Sequence, residues 1–297
     1  MATTLIHHAA NRGHDHPPNS LRSLRHCLEA GALIVEVDVT PLAGGDFALL
    51  HDGQLESTTD GTGPAFALAA DQVRRLQYTC KGVATGERVG LLGQAISLIH
   101  DYPNLQELQL DLKPHVPLDA DVLRDLLRVI RPVTGRTRVT SVADWALRRL
   151  RALDADLSLG FDPLLYLDVE VEDGRDGTIP PFRVGAYGYR DDHPLAIRPW
   201  GTSSDYLAAR AEALAAQAPD GATWYISASL LKCALDDGFD WIAYLHAQGT
   251  QVTAWTLDVD QPERLALARR LIEMGIDRVT TNDAPHLAMA LDHTVEF

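Results

Sequence analysis

Residues 33–39 read Leu33-Ile34-Val35-Glu36-Val37-Asp38-Val39. Apolar residues at every odd position from 33 to 39 give the period of two that marks a β-strand. Upstream, Leu21, Leu24, Cys27 and Leu28 recur at helical spacing within 20–30, and Gly31 supplies the stop. Downstream, Gly44-Gly45 turns the chain into a second strand at 47–50 that ends on His51-Asp52. A short strand at Leu5-Ile6 precedes the polar stretch from Asn11 to Asn19, so the amino-terminal third already alternates strand with helix.

The same rhythm predicts strands at 105–112, 138–140, 157–161, 223–226, 251–256 and 278–281. Helices are predicted at 119–130, 144–153, 204–218, 238–247 and 261–274. Alternation of this kind, with neither a composition break nor an internal repeat, predicts one α/β domain over 1–297. The expected fold is a (β/α)₈ barrel of the TIM type, with a doubly wound sheet as the other architecture. Residues 162–202 lose periodicity among Gly174, Gly177, Pro180-Pro181, Gly185 and Gly188, and read as an irregular insertion or lid.

Across the 297 residues, 46% are hydrophobic and the net charge is −15, which excludes disordered, collagenous and coiled-coil classes. No Lys/Arg run exists to displace counterions from a nucleic-acid backbone, so nucleic acid is not an expected partner and any phosphate is bound locally. Cys27, Cys80 and Cys233 are too far apart for a zinc site and read as reduced thiols in a cytoplasm. A basic segment followed by an apolar one is missing from the amino terminus, and no stretch reaches 18 apolar residues, so neither export nor a membrane span is expected.

In such a barrel, chemistry sits at the carboxyl ends of the strands. Glu36 and Asp38 lie two apart and share one face of their strand. Turned inward, they require a cation between them, and a hard oxygen-liganded ion such as Mg²⁺ or Ca²⁺ meets that need. Turned outward, they leave the valines to fill the barrel. Asp111-Leu112-Lys113 ends a later strand and offers either a third metal carboxylate with a phosphate-binding lysine or a surface ion pair. His51 suits proton transfer near neutral pH. His7 and His8 face opposite ways, so one of them reaches the mouth, and Arg12 carries a fork suited to phosphate.

Taken in order, Gly31-Ala32, Glu36-Val37-Asp38-Val39, His51-Asp52 and Thr58-Thr59-Asp60-Gly61-Thr62-Gly63 resemble the glycerophosphodiester phosphodiesterase family, whose barrel and site layout the sphingomyelinase D group shares. Asn19-Ser20-Leu21, Leu110-Asp111-Leu112-Lys113, Val252-Thr253-Ala254-Trp255-Thr256, Gly275-Ile276-Asp277 and Thr281-Asn282 extend the likeness along nearly the whole chain. The resemblance implies cleavage of a glycerophosphodiester to glycerol phosphate and an alcohol. It also implies one divalent cation on Glu36, Asp38 and Asp111, and a small-molecule phosphodiester bound among Asn11, Arg12, Lys113 and Trp255.

Three departures stand out. The family's His-Arg-Gly is Asn11-Arg12-Gly13 here, its Glu-Asn is Pro18-Asn19, and its third-strand Glu is Asp111. Asparagine transfers no protons at neutral pH, whereas His8-Ala9-Ala10-Asn11 resembles the opening of the sphingomyelinase D group, so His8 with His51 is the expected acid–base pair. Two other functions remain open on the same residues. One is a sphingomyelinase D-like phospholipase D with transient lipid contact. The other is a silent phosphodiester-binding barrel in which Asn11 holds the catalytic position.

Overall fold

Thirteen short strands follow one another along the described chain. They are β1 (Thr4–His7), β2 (Ile34–Pro41), β3 (Phe47–Ala48), β4 (Gln77–Cys80), β5 (Val83–Arg88), β6 (Glu107–Leu112) and β7 (Thr137–Ser141), then β8 (Ser158–Phe161), β9 (Asp168–Val169), β10 (Tyr187–Gly188), β11 (Thr223–Ser227), β12 (Val252–Trp255) and β13 (Arg278–Thr281). The computed structural model describes residues 2–13, 16–169, 187–188, 201–292 and 294–297. Eight strands pair in parallel in the order β1-β13-β12-β11-β8-β7-β6-β2, and pairing of β1 with β2 closes them into a (β/α)₈ barrel. The expected barrel is therefore the fold. No helix among the described residues is long and apolar enough to cross a membrane.

Local chemistry explains why the helices start where they do. Ser20 accepts the Ser23 amide at 3.0 Å and opens Leu21–Glu29, and Asp119 accepts the amides of Asp121 and Val122 to open Ala120–Ile130. Val35, Val37 and Val39 join Leu24, Cys27, Leu108, Leu110 and Leu112 in the large apolar cluster between strands and helices. Side chains alternate along a strand, so Ile34, Glu36 and Asp38 occupy the opposite face, inside the barrel. The inward arrangement of the two carboxylates is the one the fold adopts.

The interior is layered and largely polar. At the amino-terminal end, Glu107 accepts from Arg138 through both carboxylate oxygens, at 3.0 and 2.9 Å, and from Arg278 at 2.6 Å. Arg138 reaches on to the Thr223 hydroxyl and the Leu159 carbonyl, both at 3.0 Å. This ionic plug closes the barrel floor. Above it, a Cβ at Gly160 would lie 2.5 Å from both Thr140 Cγ2 and Tyr225 Cε2, so glycine makes room there for the Tyr225 ring.

Several elements were not predicted. The exposed β4–β5 hairpin and the helices Leu92–His100, Ala228–Asp236 and Ala284–Ala290 fall where no clear period was read. The predicted strand at 47–50 is only two residues long, and Leu49 and Leu50, though buried, leave the ladder. Most of the 162–202 segment lies outside the described residues, apart from a 3₁₀ turn at Pro163–Leu165 and the antiparallel β9–β10 pair.

The plug makes a quantitative claim. Glu107→Gln leaves two interior guanidinium groups with one neutral acceptor, which should destabilise the protein by about 3 kcal/mol in urea titrations. Turnover below the unfolding range should stay near wild type, because the plug is at the end of the strands remote from Asp111.

Candidate active site

Strand register assembles the acidic cluster. β2 and β6 pair so that Glu36 faces Gln109 and Asp38 lies beside Asp111. Ligand oxygens of Glu36, Asp38 and Asp111 come within 4.8 Å of one another, and Glu36 and Asp38 are each only 2% exposed. Like charges so placed repel strongly in a poorly solvated site. Burial, then Asp38 and Asp111, push the Glu36 carboxyl well above its usual range. At Asp38 burial acts in the same direction, yet Lys113, His51 and Asn19 together hold the carboxyl below it.

Partners for this cluster come from three directions. The Lys113 ammonium bridges Asp38 at 2.8 Å and Asp111 at 2.5 Å, and these two carboxylates outweigh burial and raise the ammonium's own affinity for its proton. Asn19, in the left-handed region at φ 62°, donates to Asp38 Oδ2 at 2.7 Å and accepts the Asp38 amide at 2.9 Å. The Ala9 amide donates to Glu36 Oε2 at 2.6 Å. That last bond depends on Ala9 and Ala10 taking φ values of 49° and 52° in the turn after β1. Two alanines there carry backbone strain, of a kind that gathers at functional sites.

The same turn separates the paired histidines. His7 is fully buried; its Nδ1 donates to the Asn11 carbonyl at 3.3 Å, and burial lowers its pKa to about 4. His8 instead faces the barrel mouth, where it lines a cavity of about 290 Å³ with Glu36, Asp111, Lys113, His51 and Trp255. Its Nδ1 lies 2.9 Å from Asn282 Oδ1. Asn282 cannot be turned around, because its Nδ2 donates to Asp258 Oδ2 at 2.7 Å and a carboxylate only accepts. His8 Nδ1 therefore carries a proton, and in the neutral ring Nε2 carries the lone pair. His51, more than half exposed, donates Nδ1–H to Asp52 Oδ1 at 2.9 Å, and its ring borders the same cavity.

Both imidazoles also line a second cavity of about 300 Å³, walled by Pro17, Pro18 and Tyr78. The histidine pair thus stands between two spaces, one over the barrel axis and one beside the β4–β5 hairpin. Arg12 and Asn11, expected at the substrate, line neither cavity. Asn11 is 2% exposed, and Arg12 is carried to the Phe297 ring, 5.9 Å from its centroid.

Several residues of the site escaped the sequence reading. Asp258 holds Asn282, Asp52 holds His51, and Asp162 lines the cavity over the barrel axis with its carboxyl pushed up by burial. Asp52 had a legible signal in its place directly after His51. Asp258 and Asp162 had none, because only the closed barrel brings them to the mouth.

Three hard carboxylates, Glu36 and Asp38 almost fully buried and Asp38 and Asp111 sharing one ammonium, form a group that could hold a divalent cation. Comparison with known proteins gives the chain a family. The model of the glycerophosphoryl diester phosphodiesterase family matches residues 11–286. Glycerophosphodiester phosphodiesterase 1 of Rattus norvegicus is 28% identical over 153 residues, 49% of this chain and 45% of that protein, so the chain spans under half the length of that relative. Glycerophosphodiester phosphodiesterase of Caldanaerobacter subterraneus is 25% identical over 56% of this chain and 68% of its own. In fold, the chain superposes on an Oleispira antarctica phosphodiesterase solved with the product sn-glycerol-3-phosphate, at a TM-score of 0.67, 23% identity and coverage of 98% and 97%. It also superposes on a Silicibacter pomeroyi structure described as a glycerophosphoryl diester phosphodiesterase, at a TM-score of 0.71, 19% identity and coverage of 100% and 95%. With the family pattern matched from Asn11 to beyond Asn282, the chain belongs to the glycerophosphoryl diester phosphodiesterase family.

Proposed function

We propose that this protein hydrolyses glycerophosphodiesters to glycerol phosphate and an alcohol, with His8 and His51 exchanging protons on opposite sides of phosphorus. The observation that carries this reading is the pair of anchored imidazoles. Each has Nδ1 occupied, and both border the cavity that holds the acidic cluster and Lys113. Membership of the family and the glycerol phosphate bound in the Oleispira protein support the substrate class.

Glu36, Asp38 and Asp111 would hold one divalent cation, Mg²⁺ or Ca²⁺, which when bound supplies positive charge to a non-bridging phosphate oxygen. Lys113 would stabilise charge on a second phosphoryl oxygen. His8, whose partner is the neutral Asn282 amide, accepts the proton of the attacking oxygen at Nε2. His51, whose imidazolium charge Asp52 can balance, gives its Nε2 proton to the leaving oxygen as the phosphorus–oxygen bond breaks. Trp255 walls the substrate side of the cavity.

Two outcomes test this reading. His8→Ala and His51→Ala should each lower turnover of glycerophosphocholine by about 10²–10⁴-fold with little change in affinity. The double variant should lose little more, since the two act as one unit. Asn11→Ala should cost far less, and equal losses at Asn11 and His8 would overturn the assignment.

The metal site gives the second test, read without activity. Glu36 in the metal-free protein holds its proton to a higher pH than in the unfolded chain, so its contribution to stability is present at low pH and lost as pH rises through the elevated value. Glu36→Gln should therefore keep or raise the metal-free melting temperature at neutral pH. The same variant should abolish the rise that Mg²⁺ or Ca²⁺ gives wild type. A divalent-dependent rise that survives the substitution would remove Glu36 from the ligand set.

A further inference from the structure

The segment that presents His51 is not held by a sheet. Beyond β3, its three successive carbonyls are each taken by a side chain from a different element. Tyr78 donates its hydroxyl to the Leu49 carbonyl at 2.8 Å, and Thr40 donates to that of Leu50 at 2.7 Å. The third, the carbonyl of His51 itself, lies 2.8 Å from His115 Nε2. A carbonyl oxygen only accepts, so Nε2 of His115 is protonated and donating. The fit is close on its other side as well: a Cβ at Gly53 would come within 2.8 Å of His115 Cγ, so the imidazole packs directly on the backbone that follows His51.

His115 stands two residues after Lys113, across Pro114, on the segment leaving β6. The Lys113 amide is in turn bonded to the Val39 carbonyl of β2 at 3.0 Å. One imidazole thus ties the segment bearing His51 to the strand end that carries Asp111 and Lys113. We infer that His115 is a positioning residue that fixes the place of the His51 imidazole relative to the acidic cluster by gripping the His51 carbonyl. It touches no reacting atom in this role. The inference rests on the proposed function, because it acts only through His51.

His115→Ala should lower kcat for glycerophosphocholine about tenfold with KM nearly unchanged, the scale of loss that follows displacement of a catalytic group by a fraction of an ångström. Glutamine places an amide nitrogen the same number of bonds from Cα, so His115→Gln should recover most of the activity, whereas His115→Leu should not. An imidazole Nε2–H donates whether the ring is neutral or charged, so both limbs of the pH–kcat profile should keep their positions in His115→Ala at lower amplitude. In a His51→Ala background, adding His115→Ala should cost nothing further.

Wild-type kcat in His115→Ala, failure of glutamine to rescue, or a full tenfold loss persisting without His51 would each overturn the inference while leaving the hydrolase reading intact. A lost limb of the pH profile would also overturn it, by making His115 a proton-transfer group. Unimpaired turnover in His51→Ala alone would instead sink the parent reading, and this inference with it.

Discussion

Repulsion among Glu36, Asp38 and Asp111 is the constraint around which the barrel mouth is organised. Register places Asp38 beside Asp111, and the barrel interior removes the water that would screen them. Each neighbouring element answers that cost in its own way. The strand end after Asp111 brings an ammonium, the turn before the first helix brings an amide at Asn19, and the bend after β1 brings a backbone N–H at Ala9. Since the Coulomb energy of such groups is several kcal/mol each at short range, loss of any partner would be felt by all three carboxylates. The same need makes the cluster receptive to a divalent cation.

The interior separates two electrostatic tasks along its axis. At the floor, Glu107 is matched by two arginines, so its charge is fully answered inside the protein and the plug serves stability. At the mouth, Asp38 and Asp111 share one lysine while Glu36 has only a backbone amide, and the remaining negative charge is available to a ligand. Tyr225 and Gly160 occupy the space between. Interior charge is thereby gathered into two small regions at opposite ends of the barrel.

Much of this was legible in the sequence, for physical reasons that differ by residue. The strands could be read because a parallel barrel strand needs an apolar stripe facing its helices, and Val35, Val37 and Val39 supply it. The direction in which Glu36 and Asp38 point could not be read from alternation, since β2 is buried on both faces. The likeness to a known family tipped that balance, and the packing of the valines on the helices resolves it. Arg12 lines neither cavity and follows two alanines in left-handed backbone, a conformation that no propensity scale anticipates. Asp258 is a more general case: it matters only through Asn282, twenty-four residues away, and such partnerships form when the barrel closes.

The bend at Ala9 and Ala10 has a consequence for how genetic variation in this protein should be weighed. Neither residue offers a functional side-chain atom, yet their backbone sets the heading of His8 and the amide that meets Glu36. Glycine suits their dihedral angles at least as well as alanine, while valine, isoleucine or threonine would meet a steep steric barrier in the same conformation. Two chemically inert positions are thus as narrowly restricted as the histidine they follow. Surveys that rank missense changes by lost charge or lost proton-transfer groups would pass over a small-to-branched exchange there that leaves every reactive side chain present and displaces one of them.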